Sequence, residues 1–384
     1  MHEAKTTQTQ GTFSDADLRH MSEALALAER GRGFVSPNPV VGAVLIHDGD
    51  VVGRGWHARY GEAHAEAGAL AEAGEAARGA TLYVTLEPCC VWGNTPPCTD
   101  AIIRAGVREV VAAIEDPNPA VAGRGIAALR AAGLSVRMGA LASEAAKANR
   151  GYVRYRTTGL PSVTLKLALS LDGRVAAPRG GPRWTSSPSA RTAVHAMRAA
   201  ADCVLTGVGT VLADDPLLTD RREGEGSRQP ARLVFDSLLR TPEDGALAAT
   251  ARDVETVVAC SARASADREA ALSERGVRVW RFEPSRDGID PDAVLRKLAL
   301  AGKLDVLAEC GPTLATALLR SGLCDRAAFF VSPVLYGASG GEGLGELPSG
   351  FWTREAFASP TWTVVGGDVL FEAELAALGG PTGG

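Results

Sequence analysis

Residues 64–98 read HAEAGALAEAGEAARGATLYVTLEPCCVWGNTPPC, and the fold of the first part of the chain turns on them. The stretch holds His64-Ala65-Glu66, then Pro88-Cys89, then Cys98 nine positions further on. One imidazole, two thiols and a carboxylate that need not be a ligand are the parts of a zinc deaminase centre. Zinc takes soft and borderline ligands in a tetrahedron, and a catalytic site leaves the fourth position to water, whose pKa falls to roughly 7. A neighbouring glutamate can carry a proton from the attacking water to the departing ammonia. His64, Cys89 and Cys98 are therefore the expected metal ligands, and Glu66 the expected catalytic acid/base.

The elements around these residues support that pattern. Residues two apart on a helix do not share a face, so His64 and Glu66 belong at a first turn, where loop geometry lets both point inward. Residues 65–77 supply that helix, rich in Ala, Leu and Glu. Residues 81–86 read as a strand ended by Pro88, and Pro97 precedes a helical run through Arg104. Both thiols then fall at a strand end and a helix start, where the helix N-terminus favours thiolate. Two blander readings stand beside this one. An isolated HxE with small buried cysteines needs no metal, and a closed structural zinc site would recruit Cys90 or His57 as a fourth ligand.

At 384 residues the chain is long enough for two or three domains. With 46% hydrophobic and 22% charged residues it has the composition of a globular protein. A formal net charge of −5 argues against a broad nucleic-acid-binding surface. No apolar run approaches the roughly 20 residues that span a bilayer, so no membrane partner is expected. The N-terminus lacks an apolar signal core and reads as a disordered lead-in over 1–13. Seven unevenly spaced cysteines argue against a disulfide framework and fit a reducing cytoplasm.

Strand-like and helix-like segments alternate from end to end, which predicts α/β architecture. In the first part a helix over 14–30 is capped by Ser14 or Asp15, strands follow at 40–46, 109–114 and 134–138, and a helix at 125–132. Ser143 caps a polar helix running into Tyr152 and Tyr155, and a turn-rich linker is expected at 157–161. The expected domains are therefore 14–156 and 162–384. In the second, strands are predicted at 163–170, 202–206, 232–236, 256–260, 278–282 and 305–309. Ser187-Pro188 starts a helix through Ala200, and further helices cover 268–275, 292–301 and 313–320. Residues 362–365 and 369–373 close the chain as a hairpin.

Two strand-to-helix turns in the second part suggest a phosphate-bearing ligand. Glu309-Cys310-Gly311-Pro312-Thr313-Leu314 offers backbone N–H groups for an anion. Thr206-Gly207-Val208-Gly209-Thr210 has G-x-G but carries Leu212 where a dinucleotide fingerprint has its third glycine. A nucleotide site and two ordinary turns explain these equally well. Arg198 and Arg221 suit bidentate phosphate contacts, or simply a solvated helix face and a loop charge. Trp184 suits stacking on a cofactor ring or covering the core edge. Asn38 suits a contact to a pyrimidine or ribose, or an Asn-Pro turn, and His57 a ligand contact or a strand cap.

Taken together, the motifs resemble one family: the bifunctional riboflavin-biosynthesis enzymes that fuse diaminohydroxyphosphoribosylaminopyrimidine deaminase to 5-amino-6-(5-phosphoribosylamino)uracil reductase. SPNPVVG (36–42), GRGWH (53–57), His64-Ala65-Glu66 and Thr95-Pro96-Pro97-Cys98 are similar to the deaminase half. LKLALSLDG (165–173), TVLADDP (210–216) and ECGPTL (309–314) are similar to the reductase half. The resemblance runs from about Ser14 to Ala373. It implies a cytidine-deaminase-like α/β/α domain followed by a dihydrofolate-reductase-like α/β domain. The first would hydrolyse the amine of 2,5-diamino-6-ribosylamino-4(3H)-pyrimidinone 5′-phosphate with zinc, and the second would reduce the ribosyl group of the product to ribityl with NADPH. The resemblance further implies NADP contacts at Ala168, Trp184, Thr210, Asp214, Ser237, Gly311, Pro312, Thr313, Leu314, Ala315, Thr316 and Ala317. Substrate contacts would be Asn38, His57, Arg198, Leu218, Arg221 and Glu309. A homo-oligomer, dimer or tetramer, is expected. The other reading of the zinc motif is a tRNA-type base deaminase with an unrelated appendage, against which the net negative charge and the long Cys89–Cys98 spacing weigh.

The sequence departs from the family pattern in two places. After the first ligand cysteine the family carries Ser-His and then Gly-Arg, whereas this chain reads Cys90-Val91-Trp92-Gly93-Asn94. An imidazole and a guanidinium available to the ribotide are thereby lost, and Cys90 becomes a rival ligand to Cys89. Pro182 stands where members often place a serine, which removes a hydroxyl and an N–H.

Overall fold

The computed structural model describes residues 12–93, 96–178, 180–182, 184–222, 228–285 and 288–376. Most of the expected lead-in, and Asn94 and Thr95 of the cysteine loop, lie outside the described residues. The chain separates into two compact units that divide between Thr158 and Gly159. Among the described residues no helix is long and apolar enough to cross a membrane.

In the first unit α1 (Asp15–Glu29) precedes the hairpin β1 (Gly42–His47) and β2 (Asp50–Trp56). There follow α2 (Ala65–Ala73), β3 (Thr81–Val84), α3 (Cys98–Ala105), β4 (Glu109–Ala112), α4 (Arg124–Ala131), β5 (Ser135–Met138), α5 (Ala142–Ala148) and α6 (Arg150–Thr158). The sheet order is β2-β1-β3-β4-β5. β1 runs antiparallel to both neighbours, and β3, β4 and β5 are mutually parallel. Ser14 caps α1 and Asp17 completes a capping box, with Ser14 N–H donating to the Asp17 carboxylate at 2.9 Å. The same carboxylate accepts from Tyr83 Oη at 2.7 Å and from Arg137 at 2.8 and 3.0 Å, which pins α1 to β3 and β5. Phe13, assigned to the lead-in, instead packs against this core.

Glycines let α2 lie almost on the backbone of β2. A Cβ at Gly55 would stand 2.0 Å from the Ala65 carbonyl oxygen, and one at Gly53 would stand 2.2 Å from that of Ala69. The first turn of α2 is thereby held against the sheet. α2 stops at Ala73 rather than running to Ala77, because Gly74 turns to φ +53° and a short 3-10 turn follows. The polar helix expected from Ser143 is really two, broken at Asn149. That buried amide bonds both the N–H and the C=O of Val40, at 2.8 and 2.9 Å, and so cannot stay in a regular solvent-facing helix. α5 is preceded by Leu141 rather than capped by Ser143. α6 continues to Thr158, so the linker expected at 157–161 begins as helix.

The second unit opens with β6 (Ser162–Ser170), α7 (Pro188–Ala200), β7 (Cys203–Gly207), α8 (Val208–Asp214), β8 (Ala231–Phe235), α9 (Ala246–Ala249) and β9 (Thr256–Ser261). It continues through α10 (Ala266–Glu274), β10 (Arg278–Phe282), the small pair β11 (Pro284–Ser285) and β12 (Gly288–Ile289), and α11 (Pro291–Leu300). β13 (Asp305–Glu309), α12 (Pro312–Arg320), β14 (Arg326–Ser332), β15 (Phe357–Val365) and β16 (Asp368–Leu375) complete it. Nine strands stand in the order β10-β9-β8-β7-β13-β6-β14-β16-β15. All are parallel from β10 to β14, and the closing hairpin β15–β16 then adds antiparallel strands. β6, β7, β8 and β13 present Leu165, Leu205, Leu233 and Ala308 to one fully buried core. α7 begins as its sequence predicts, with the Ser187 hydroxyl accepting from Ala190 N–H and Pro188 in the first turn. β13 returns between β7 and β6, so the strand order reverses there. Crevices outside the carboxyl ends of strands at such a point are where open α/β sheets bind ligands.

Candidate functional site

Three donor atoms of the first unit converge. Among the described residues, His64, Cys89 and Cys98 form the one cluster of three potential metal ligands, with all three donor atoms within 4.8 Å of one another. His64 Nδ1 lies 3.3 Å from Cys98 Sγ and 3.5 Å from Cys89 Sγ. His64 precedes α2 on extended backbone, φ −74° and ψ 163°, so its side chain is not bound to the helical face pattern. Glu66, two residues on, lies inside the first turn and is 4% exposed. Both therefore reach one pocket despite their spacing. Cys98 opens α3, and its N–H donates to Cys89 Sγ at 3.4 Å.

Electrostatics favour a cation. Hydrogen bonds from Cys98 and His64 draw the Cys89 thiol far below its ordinary range, while Cys98, as donor to that sulfur, is pushed up. The Cys89 partner holds His64 above its usual value. Burial, together with the charge of Cys89, lifts the Glu66 carboxyl to about 7 before any cation is added. Borderline nitrogen and thiolate sulfur in this arrangement are a donor set that suits zinc. Cys90 and His57, the candidates for a fourth ligand, stand outside the group.

His57 is nevertheless next door. Its ring lies nearly edge-on to that of His64, with centroids 5.3 Å apart. Its Nδ1 is 3.1 Å from the Ala63 carbonyl, and a proton there leaves Nε2 to accept from Asn38 Nδ2 at 3.2 Å. Burial holds this imidazole below its ordinary pKa, so a neutral ring fits both contacts. Glu87, unnoticed in the sequence, supports the cysteine loop. Its buried carboxylate accepts from the N–H groups of Asp116, Gly123 and Ile126 at 3.1, 2.9 and 3.1 Å.

In the second unit the expected cofactor residues gather at the carboxyl edge of the sheet. Ala168 is near the end of β6, Thr210 in the first turn after β7, Ser237 just after β8, and residues 311–317 follow β13. Gly311 precedes α12 on extended backbone without a side-chain cap, and a Cβ there would lie 3.6 Å from Thr210 Oγ1. Thr206 Oγ1, at the end of β7, is buried without a hydrogen-bond partner. An uncapped helix N-terminus at the carboxyl edge of the sheet suits a phosphate-bearing nucleotide. Trp184 is 53% exposed, with the Arg191 guanidinium 5.4 Å from its ring. Asp214 ends α8 on the surface.

Two of the expected substrate residues, Arg198 and Glu309, pair with each other. Arg198 forms a fork on Glu309, Nε to Oε1 at 2.6 Å and Nη2 to Oε2 at 3.0 Å, and donates from Nη1 to the Thr219 carbonyl at 3.0 Å. Lys166 Nζ adds a contact to Glu309 at 3.8 Å. Burial alone would raise the Glu309 carboxyl, but Lys166 and Arg198 together hold it below its ordinary value. Leu218 is buried at φ +53°, and Arg221 is exposed with Nη1 3.4 Å from Thr219 Oγ1. Sequence reading missed Lys166 and His195. The available signal for Lys166 was its alternation with Ala168 on one face of β6.

Comparisons with known proteins cover both units. Residues 14–114 match the cytidine and deoxycytidylate deaminase zinc-binding region, and residues 161–350 match the RibD C-terminal domain. The riboflavin biosynthesis protein RibD of Aquifex aeolicus is 40% identical over 333 residues, covering 87% of this chain and 91% of that protein. RibD of Escherichia coli is 43% identical over 352 residues, covering 86% and 91%. A solved structure of Acinetobacter baumannii RibD superposes with a TM-score of 0.83 at 35% identity, over 94% of this chain and 99% of that one. The Thermotoga maritima diaminohydroxyphosphoribosylaminopyrimidine deaminase/5-amino-6-(5-phosphoribosylamino)uracil reductase gives 0.82 at 32% identity, over 94% and 99%.

Proposed function

Because the chain belongs to the RibD family and is a bifunctional deaminase and reductase of riboflavin biosynthesis, we propose how its residues divide the work. Residues 14–156 carry the deaminase and 162–384 the reductase, joined at 157–161. The clustering of His64, Cys89 and Cys98 beside buried Glu66 carries this reading.

His64, Cys89 and Cys98 would hold zinc, which supplies Lewis acidity that makes water nucleophilic near neutral pH. Glu66 takes the proton of that water as it attacks the ring carbon and delivers it to the exocyclic nitrogen, so that ammonia leaves and a carbonyl remains. Burial, which resists the charged form of the Glu66 carboxyl, and a bound cation, which favours it, act in opposite directions on a group that must both take and give a proton. Asn38, held by His57 at 3.2 Å, orients the pyrimidine or its ribose.

In the reductase, Ala168, Trp184, Thr210, Asp214, Ser237 and residues 311–317 would hold NADPH, which supplies the hydride. The uncapped start of α12 receives a phosphate. Arg198, Leu218, Arg221 and Glu309 grip the ribotide, Glu309 fixing the Arg198 fork while Arg221 remains open for the phosphate. The protein's contribution is alignment in a dry pocket.

We further assign the protein to the cytoplasm, where the Cys89 and Cys98 thiols stay reduced. It acts on a small pyrimidine ribotide rather than nucleic acid, in keeping with the net charge of −5. A homo-oligomer is supported by β15, an edge strand exposed along most of its length, with Trp362 67% and Val364 76% exposed. The deciding assay supplies the diaminopyrimidine ribotide with and without NADPH, following ammonia and cofactor absorbance together. Ammonia release without NADPH, then cofactor oxidation once it is added, is the expected result. Cofactor oxidation on separately supplied deaminated ribotide, with no ammonia from the diamino compound, would leave only a reductase beside a structural metal module.

A further inference from the structure

We propose that His195 is a positioning residue of the reductase, whose Nδ1 anchors the strained turn around Leu218 so that Arg221 is presented toward the Arg198–Glu309 pair. The proposal rests on the reading of Arg198, Arg221 and Glu309 as substrate contacts.

His195 and Arg198 lie three apart on α7 and therefore share a face. His195 Nδ1 is 3.1 Å from the Thr219 carbonyl and 3.2 Å from the Arg221 N–H. One nitrogen cannot serve both at once. Protonated at Nδ1, the ring donates to Thr219; in the other neutral tautomer it accepts from Arg221. Either way the same atom ties α7 to the turn. Asp220 Oδ1 lies 3.9 Å from the same Nδ1, so residues 219–221 all meet the ring at that one atom.

The turn needs anchors because its backbone is unfavourable. Leu218 is a non-glycine residue at φ +53°, a region that persists only where its surroundings impose it. On one side the fully buried Arg232 donates from Nη1 to the Leu217 carbonyl at 3.1 Å. On the other, Arg198 and His195 converge on the Thr219 carbonyl, and His195 reaches on to Arg221. Arg198 already serves Glu309, and the Gln229 amide holds the N–H and C=O of Asp220, each at 2.9 Å, which leaves His195 as the side chain that reaches the Arg221 N–H. Without its Nδ1 the Arg221 N–H loses its partner and Arg221 is free to shift, while Arg232, Arg198 and Gln229 keep residues 217–220 in place. Substrate binding should then suffer more than turnover, because the residues at the carboxyl edge that hold the cofactor are untouched.

The test uses the full chain and measures steady-state reduction of the deaminated ribotide. His195→Phe keeps the ring's volume without the nitrogen, and His195→Asn restores a polar atom near the Nδ1 position. His195→Gln places its amide further out. In His195→Phe, KM for the ribotide should rise about tenfold with kcat within about threefold of wild type, as expected for losing an interaction used in binding. His195→Asn should return to within about twofold of wild type, and His195→Gln should resemble His195→Phe. An unchanged KM in His195→Phe, or an Asn variant as impaired as the Phe variant, overturns the proposal. Loss of folding in His195→Phe leaves the Asn–Gln comparison to decide it. Arg221→Met separates the two levels of argument. If it leaves KM unchanged, the assignment of Arg221 is wrong; if it raises KM while His195→Phe does not, only the anchoring role falls.

Discussion

Glu66 is a carboxyl withdrawn from water beside two sulfurs, and its chemistry follows from that placement. Glu66→Gln keeps size and hydrogen bonding but cannot move a proton. Deamination should fall by about 10²- to 10⁴-fold, while metal content and NADPH oxidation on the deaminated substrate stay at wild-type levels. A variant that releases ammonia at the normal rate would remove Glu66 from its role. The ligand types were legible in the sequence because zinc dictates them whatever surrounds the site. The manner in which His64 and Glu66 meet was legible only as a requirement, which the extended backbone at His64 satisfies. The reductase contacts were not legible from spacing at all. Strand register sets Glu309 beside Lys166, and no local pattern carries a pairing between residues so far apart.

At the scale of elements, α1 illustrates how a cap becomes a tertiary anchor. The Arg137 guanidinium beside Asp17 is the largest influence holding that carboxyl well below its ordinary 3.8, against the opposing effect of burial. A carboxylate whose folded pKa is depressed stabilises the fold above its unfolded pKa, and loses that contribution as pH falls through the folded value. Stability of the first unit against urea should therefore fall as pH drops below about 4, by about 2 kcal/mol in all. Asp17→Asn should be less stable at pH 7 and should lose this part of the acid dependence. An unchanged acid slope in that variant would mean that other carboxyls carry it. A cap at Ser14 or Asp15 was visible in the sequence, but the answering Asp17 carboxylate and its partners Tyr83 and Arg137 were not. β14 was missed altogether. RAAFFVS neither alternates nor stands out by length, yet it pairs with β6 on one side and β16 on the other. The break at Asn149 was hidden for a related reason, since a buried amide reaching Val40 overrides helix propensity from outside the segment.

On the scale of the molecule, each unit has its own sheet and core, so the two activities should fail separately. A thiol-compatible chelator should abolish ammonia release and lower one thermal transition, because a metal bound only by the folded form stabilises it. NADPH oxidation on the deaminated substrate should continue. Parallel loss of both activities would show that the metal supports the whole protein. α/β architecture with two units was legible from the alternation of periods. The reversal of strand order was not, because β13 follows five intervening strands and returns to a gap nothing local announces.

That gap bears on how a ribosome delivers this protein. The first sheet has all its members once residue 138 has emerged. The second must wait for residues 305–309, because β6 and β7 meet only through β13. Throughout that interval two apolar strands have open flanks with nothing to cover them. The nascent reductase is accordingly the portion most in need of chaperone protection, and slow synthesis there carries a greater risk of aggregation than anywhere in the deaminase.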